Sequence, residues 1–208
     1  MTGATFGVSL MRRVRTVLIA CAVGSALALA GCGNNEPAFQ NLDITGNKQF
    51  GTNFALPDTS GKIRTLADFK GKTVILFFGY THCPDVCPTT MAELSQAMQQ
   101  LGPDAARVQM LFVTVDPARD TPEVLSQYVG AFNPSFIGLR PSDAQLAKVA
   151  KNFRVYYAKV PGKTPDSYTM DHTAASFVFD PSGKLRLFAR DGQGAQPWVH
   201  DLKLLQAS

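Results

Sequence analysis

Apolar residues along this 208-residue chain fall into two kinds of stretch: short unbroken runs, and longer tracts with helical spacing. The densest run is Val74-Ile75-Leu76-Phe77-Phe78. It has no polar alternation, which predicts a strand covered on both faces. Gly79 and Tyr80 end it, and Cys83 and Cys87 follow, each with a proline after it. Met91, Leu94, Met98 and Leu101 then recur at helical spacing, predicting a helix to about Leu101 that Gly102-Pro103 stops. Residues 108–115, VQMLFVTV, read as a second buried strand. Thr121-Pro122-Glu123 opens another helix, with Thr as N-cap and Pro first, ending near Gly130. A short strand is predicted over 136–139. Ser142 and Gln145 form a capping-box signature ahead of Leu146, Val149 and Phe153. Residues 155–160 read as a strand and 161–167 as a polar loop. Residues 175–179, the turn Asp180-Pro181-Ser182-Gly183 and residues 185–189 read as a hairpin, and Trp198, Leu202 and Leu205 mark a closing helix.

Before the densest run, residues 54–65 read as a hairpin around Asp58-Thr59-Ser60-Gly61-Lys62, with a helical turn over 66–69. Residues 33–50, rich in Gly and Asn, read as a tether with a short strand between Phe39 and Ile44. There is no internal repeat. Strands alternating with helices, closed by a hairpin and a helix, predict an α/β sandwich of three layers. A two-cysteine loop between a buried strand and a helix makes that class thioredoxin-like, here with an extra N-terminal β-hairpin.

Composition, at 45% hydrophobic and 17% charged, suits a globular body. The net charge of +4 is unevenly placed. Arg12, Arg13 and Arg15 lie in the first 31 residues, which hold no acid; without them 17 basic residues face 16 acidic ones. A body so near neutral argues against a nucleic-acid partner. The same arginines form a positive segment before an apolar stretch, Thr16 to Ala30, too short for a comfortable membrane span. Leu29-Ala30-Gly31-Cys32 then resembles the bacterial lipoprotein signal, with cleavage before Cys32 and a lipid on that cysteine. An ordinary signal peptide with a chance cysteine, or an uncleaved anchor, is the plainer reading. The ten residues before Met11 add nothing to such a signal, so Met11 is a candidate start. The expected organisation is a signal over 1–31, a lipidated tether over 32–50 and a thioredoxin-like domain over 51–208. The expected place is the periplasmic face of the inner membrane.

That placement leaves Cys83 and Cys87 as the free thiols once Cys21 is removed and Cys32 is lipidated. One close pair in an exported protein is not a disulfide scaffold, so the pair is read as functional. Pro88 is expected at the first helical position. Cys87 then falls at or near the N-cap, where free N–H groups and the helix dipole favour a thiolate. The spacing C-x-x-x-C is one residue longer than the redox motif C-x-x-C. It lets two sulfurs share a metal ion without preventing a disulfide. A third ligand is then wanted, and the body offers His82, His172 and His200. His200 reads as an exposed surface residue. His82 neighbours Cys83, and adjacent side chains at a strand end point apart. A lone histidine placed like His172 is more often structural.

Three stretches carry a resemblance: Gly79-Tyr80-Thr81-His82-Cys83-Pro84-Asp85-Val86-Cys87-Pro88, then Val115-Asp116-Pro117-Ala118-Arg119-Asp120-Thr121-Pro122, then His172 shortly before Phe177-Val178-Phe179-Asp180. From about Phe39 to its end the chain resembles the Sco/SenC family, the copper-delivery proteins of cytochrome c oxidase assembly. The resemblance implies copper ligands at Cys83, Cys87 and His172, and makes His172 a ligand where spacing alone did not. It also implies that Asp116 orients the metal-binding loop. The family's usual Glu before the Arg is Ala118 here, which weakens any claim for a charge at that position.

Soft thiolates select Cu(I), and imidazole accepts both Cu(I) and Cu(II). Two thiolates and a neutral histidine give a Cu(I) site of net charge −1, open on one face for a partner ligand, whereas structural zinc prefers four closed ligands. The leading reading is a metallochaperone, not an enzyme, that delivers copper to the CuA site of an oxidase subunit. Another periplasmic copper chaperone or a thiol reductant is a further partner, and the membrane is reached through the lipid. The second reading is a thiol–disulfide reductase that cycles Cys83 and Cys87 to keep the CuA-site cysteines reduced. A peroxide-reducing enzyme and a copper or redox sensor are the remaining classes.

Overall fold

The computed structural model describes residues 38–164 and 167–207. Residues 39–207 lie in one compact unit. The signal, Cys21 and Cys32 lie outside the described residues.

The central element is β4 (Thr73–Gly79), whose seven residues are all buried. It pairs in parallel with β5 (Val108–Thr114), also buried throughout, and β5 pairs in parallel with β6 (Ile137–Leu139). On its other side β4 runs antiparallel to β9 (Ala175–Phe179), followed by β10 (Leu185–Arg190) and β1 (Leu42–Asp43). The sheet order is thus β1-β10-β9-β4-β5-β6. Two small antiparallel pairs stand apart from it: β2 (Ala55–Pro57) with β3 (Ile63–Thr65), and β7 (Tyr157–Pro161) with β8 (Tyr168–His172).

Helices cover both faces, which is why β4 carries no polar alternation. The described residues form α1 (Val86–Leu101), α2 (Pro122–Phe132), α3 (Asp143–Phe153) and α4 (Ala195–Ala207). On one face the rings of Phe77 and Phe112 meet at 5.7 Å, and Tyr128 of α2 adds a third ring 5.5 Å from Phe112. On the other, Phe153 of α3 sits 5.0 Å from Phe177 and 5.9 Å from Phe78. Each of the fully buried phenylalanines contributes about 1.5–3 kcal/mol relative to exposure. The three-layer, thioredoxin-like architecture is the one the alternation of runs predicts.

The caps follow the sequence signals. Thr121 accepts from Val124 N, and Ser142 and Gln145 close a reciprocal capping box. Three details differ. The second helix runs on to Phe132. Residues 168–172, outside any predicted element, form β8. The body begins at Phe39, because β1 joins the sheet and buried Asp201 of α4 accepts from Gln40 N, Asn41 N and Asn41 Nδ2. Residues 39–50, expected in the tether, therefore pack on the domain.

The two hairpin turns share one chemistry. Asp58-Thr59-Ser60-Gly61-Lys62-Ile63-Arg64 and Asp180-Pro181-Ser182-Gly183-Lys184-Leu185-Arg186 differ at two of seven positions. In both, one carboxylate oxygen accepts from the Ser N, the Ser Oγ and the Lys N, and the other accepts from the Arg. Gly61 and Gly183 take φ of 87° and 83°, which any Cβ would strain. The first turn also seats the β2–β3 hairpin against the sheet edge, since Arg140 N donates to Pro57 O.

Burial alone would raise the Asp58 carboxyl. The bonds from Ser60 and Arg64 outweigh it and hold the group below the usual carboxylate range. A lowered pKa gives stability that is complete above the ordinary carboxylate pKa and lost as pH falls through the folded one. Asp58→Asn is therefore expected to cost about 1–3 kcal/mol near neutral pH, with the gap closing in acid. Urea unfolding of both proteins across pH measures it; a gap independent of pH contradicts the assignment.

Candidate metal centre

β4 ends at Gly79, and the chain turns through Tyr80, Thr81, His82, Cys83, Pro84 and Asp85 into α1. The helix begins at Val86 with Asp85 as N-cap. Pro88, expected at the first helical position, is the third. The whole first turn tolerates proline, because its N–H groups have no intrahelical acceptor. The consequence falls on the sulfurs. Cys87 lies inside the first turn and is fully buried, while Cys83 is half-buried in the loop above it. The N–H of Cys87 points at Cys83 Sγ, 3.5 Å away.

The thiolate stabilised by the helix end is therefore Cys83, not Cys87 as the helix boundary suggested. Its thiol is lowered to about 4, first by the Cys87 side chain, then against burial by the N–H groups of Cys87 and Asp85 and by His172. Cys87 is pushed far up by the Cys83 sulfur and by burial. The packing around Cys87 is close: a Cβ at Gly79 would stand 2.8 Å from its Sγ and 3.0 Å from the Phe112 ring. Only glycine lets the end of β4 pass beneath that sulfur.

His172, the last residue of β8, places Nε2 3.5 Å from Cys87 Sγ. Its Nδ1 lies 3.2 Å from the carbonyl oxygen of Thr173. A carbonyl only accepts, so Nδ1 carries a proton, and in the neutral ring Nε2 then offers its lone pair, the arrangement of a metal-binding imidazole. One ligand atom each from Cys83, Cys87 and His172 lies within 4.8 Å of the others, and among the described residues no other such group occurs. His82 is turned away, its ring 51% exposed, with Nδ1 3.0 Å from Thr81 Oγ1. His200 pairs with Asp201 at 2.8 Å on α4. Asp85 is exposed.

Asp116 is buried, but it does not touch the cysteine loop. Its carboxylate accepts from Arg119 Nε and from the hydroxyl of Tyr168, at the start of the strand that ends in His172. The loop is held by Asp120, which the sequence reading did not single out. Asp120 is completely buried. It accepts from Thr81 N at 3.1 Å, Thr81 Oγ1 at 2.7 Å and Thr114 Oγ1 at 2.5 Å. The available signal was the position of Asp120 one residue before an N-cap Thr, in a loop leaving a buried strand, where a carboxylate faces the sheet end.

A thioredoxin-like domain with two thiols at a strand–helix junction and an imidazole from a separate hairpin defines a class: a protein whose sulfurs can hold a soft metal ion or exchange a disulfide. Residues 43–206 match the SCO1/SenC family model, and the chain belongs to that family. It is 38% identical over 176 residues to the bovine mitochondrial SCO2 homolog, covering 83% of this chain and 66% of the relative. It is 37% identical over 152 residues to the mouse one, covering 72% of this chain and 60% of the relative. The chain thus spans about two thirds or less of those two relatives. Among solved structures, copper-bound ScoI of Bradyrhizobium japonicum is 43% identical with a TM-score of 0.65, over 74% of this chain and 98% of that one. Apo Sco1 of Thermus thermophilus is 40% identical with a TM-score of 0.70, over 81% and 97%.

The unequal thiols set a measurable expectation. In the reduced metal-free protein an alkylating agent should modify Cys83 first. Because its thiol is lowered to about 4, the thiolate fraction should stay high from neutral pH into mild acid and fall to half near that value. Cys87 should react only on unfolding. Mass spectrometry after timed alkylation reads both, and Cys87 reacting first would reverse the assignment.

Proposed function

We propose that this protein binds one copper ion through Cys83, Cys87 and His172 and delivers it to the CuA site of cytochrome c oxidase. The observation that carries the reading is the cluster itself, two sulfurs and an imidazole nitrogen mutually within 4.8 Å, in a chain 43% identical to a Sco protein whose structure carries copper. The oxidase as recipient rests on the family resemblance. The donors fit the cargo. Two thiolates favour Cu(I), and the imidazole keeps Cu(II) acceptable. Cys83 is ready as a thiolate and is only half-buried, which leaves a side from which a recipient's ligand can approach. Cys87 gives up its proton on binding, so uptake releases about one proton per ion and apparent affinity rises with pH.

The organisation proposed around this domain is a cleaved signal over 1–31 and a lipid on Cys32 that holds the protein at the periplasmic face of the inner membrane. Among the described residues no helix is long and apolar enough to cross a membrane.

A thiol–disulfide reductase acting on the recipient's cysteines is the second reading. A half-buried thiolate at Cys83 beside a fully buried thiol at Cys87 is the attacking and resolving pair such an enzyme needs.

Titration of the reduced protein with Cu(I) against a competing chelator is expected to give one ion per chain. Loss of both cysteines should abolish binding. His172→Ala should weaken it at least as much as the roughly 10- to 100-fold cost of losing an outer partner, while disulfide turnover stays largely intact. A stoichiometry far from one, or binding indifferent to both cysteines, would sink the copper reading. Cys32→Ser is expected to prevent lipid attachment and release the protein from the membrane fraction; unchanged membrane retention would remove the lipoprotein proposal.

A further inference from the structure

We infer that Arg119 is the positioning residue for His172, a latch that clamps the β7–β8 hairpin to the cysteine side of the site. The inference rests on reading His172 as a copper ligand. β7 and β8 share no ladder with the six-stranded sheet. The distance from the imidazole to the sulfurs is therefore set by side chains. The local bonds next to His172, Thr173 N to Tyr156 O and Tyr156 N to Thr173 Oγ1, tie it to the residue preceding β7 and move with the hairpin. Tyr157 and Met170 add apolar packing on the core, which is non-directional.

Apart from a bond between the Tyr80 side chain and the Met170 backbone, the directional contacts converge on one guanidinium. Arg119 Nη1 donates to Tyr168 O at 2.9 Å, and its Cζ lies 3.5 Å from the centre of the Tyr168 ring. The same Cζ is 5.7 Å from the centre of the Tyr80 ring. Tyr80 opens the cysteine loop, and its ring meets His172 edge-on at 5.8 Å and 90°. Arg119 Nε and the Tyr168 hydroxyl share the Asp116 carboxylate, which neutralises the cation where it is enclosed. Lys159 Nζ closes the far face of the assembly, 3.7 Å from the Tyr168 ring centre. One planar cation thus joins the first residue of β8 to the first residue of the loop that carries Cys83. Lysine cannot reproduce this, because the contact needs a plane for stacking and two divergent donors.

The test uses Arg119→Met, Arg119→Lys and His172→Ala, read on metal-free and copper-loaded protein. In metal-free Arg119→Met, amide hydrogen exchange should speed up across residues 168–172. Copper affinity should fall by about 10- to 100-fold. The histidine nitrogen coupling in the electron paramagnetic resonance of the Cu(II)-loaded form should weaken. Combining Arg119→Met with His172→Ala should cost little more than His172→Ala alone, because both remove the same ligand. Arg119→Lys should recover only part of each signal. Unchanged exchange across 168–172, additive losses in the double variant, or full recovery with lysine would overturn the latch. Where Arg119→Met does not fold, Tyr168→Leu removes the stacked ring instead and carries the same expectations. If His172→Ala leaves copper binding unchanged, the ligand assignment fails, and the exchange measurement still decides the latch.

Discussion

The geometry of this site depends on how closely the end of β4 passes under the first turn of α1. Cys87 has no exposure, and the space beneath its sulfur is set by Gly79 on one side and the Phe112 ring on the other. This close approach is possible because β4 and β5 are buried throughout and covered on both faces. A strand with one solvated face would leave the helix no reason to settle over it. Once the helix start is fixed there, its free N–H groups have one place to point, and the sulfur of Cys83 occupies it. The unequal thiols follow from packing that belongs to the core.

The second half of the site is built differently. Cys83 and Cys87 stand on the rigid junction of strand and helix, whereas His172 arrives on a two-stranded hairpin outside the main sheet. Two buried carboxylates manage the join. Asp120 fixes the cysteine loop through Thr81 and ties it to the end of β5 through Thr114. Asp116, four residues earlier, holds Arg119 and Tyr168 on the histidine side. Both lie in the one loop between β5 and α2. Arg140 pins that loop's backbone in turn, through the carbonyls of Pro117 and Asp120. A short irregular segment thereby sets the relative position of ligands that are 85 residues apart.

What the sequence made legible was whatever short-range pattern determines. The unbroken run at 74–78 gave the central strand, and Ser142 with Gln145 gave a helix start, because a strand buried on two faces and a capped helix each leave a local signature. Residues 168–172 did not read as a strand, although Tyr168, Met170 and His172 alternate with Thr169 and Asp171. Their inward side meets Arg119 and Tyr80, not a continuous apolar layer, so the alternation lacked the hydrophobic contrast on which period-two reading relies. Proline misplaced the helix start by two residues, since it is at home anywhere in the first turn. That small shift exchanged the roles of the two thiols. His172 as a ligand was visible only through family resemblance, for its nearness to Cys87 is a tertiary fact with no trace in spacing. Asp116 and Asp120 looked alike in sequence, and only the direction of each carboxylate separates the one serving the histidine side from the one serving the sulfurs.

The division into a rigid sulfur pair and a separately mounted imidazole bears on the proposed holding and release of a copper ion. A site whose ligands all sat on one rigid element would pass a metal on only by stretching every bond together. Here the two sulfurs differ in exposure and in proton affinity, and the third donor sits on an element secured by side chains. A recipient ligand can approach at half-exposed Cys83 while Cys87 stays enclosed. Withdrawal of His172 breaks no ladder of the main sheet. Reprotonation of Cys87, whose thiol is strongly favoured in its buried setting, then opposes return of the ion. The same asymmetry serves disulfide chemistry, in which Cys83 attacks and Cys87 resolves. The imidazole has no necessary part in that exchange, so its precise mounting is better explained by a metal ion than by electrons alone.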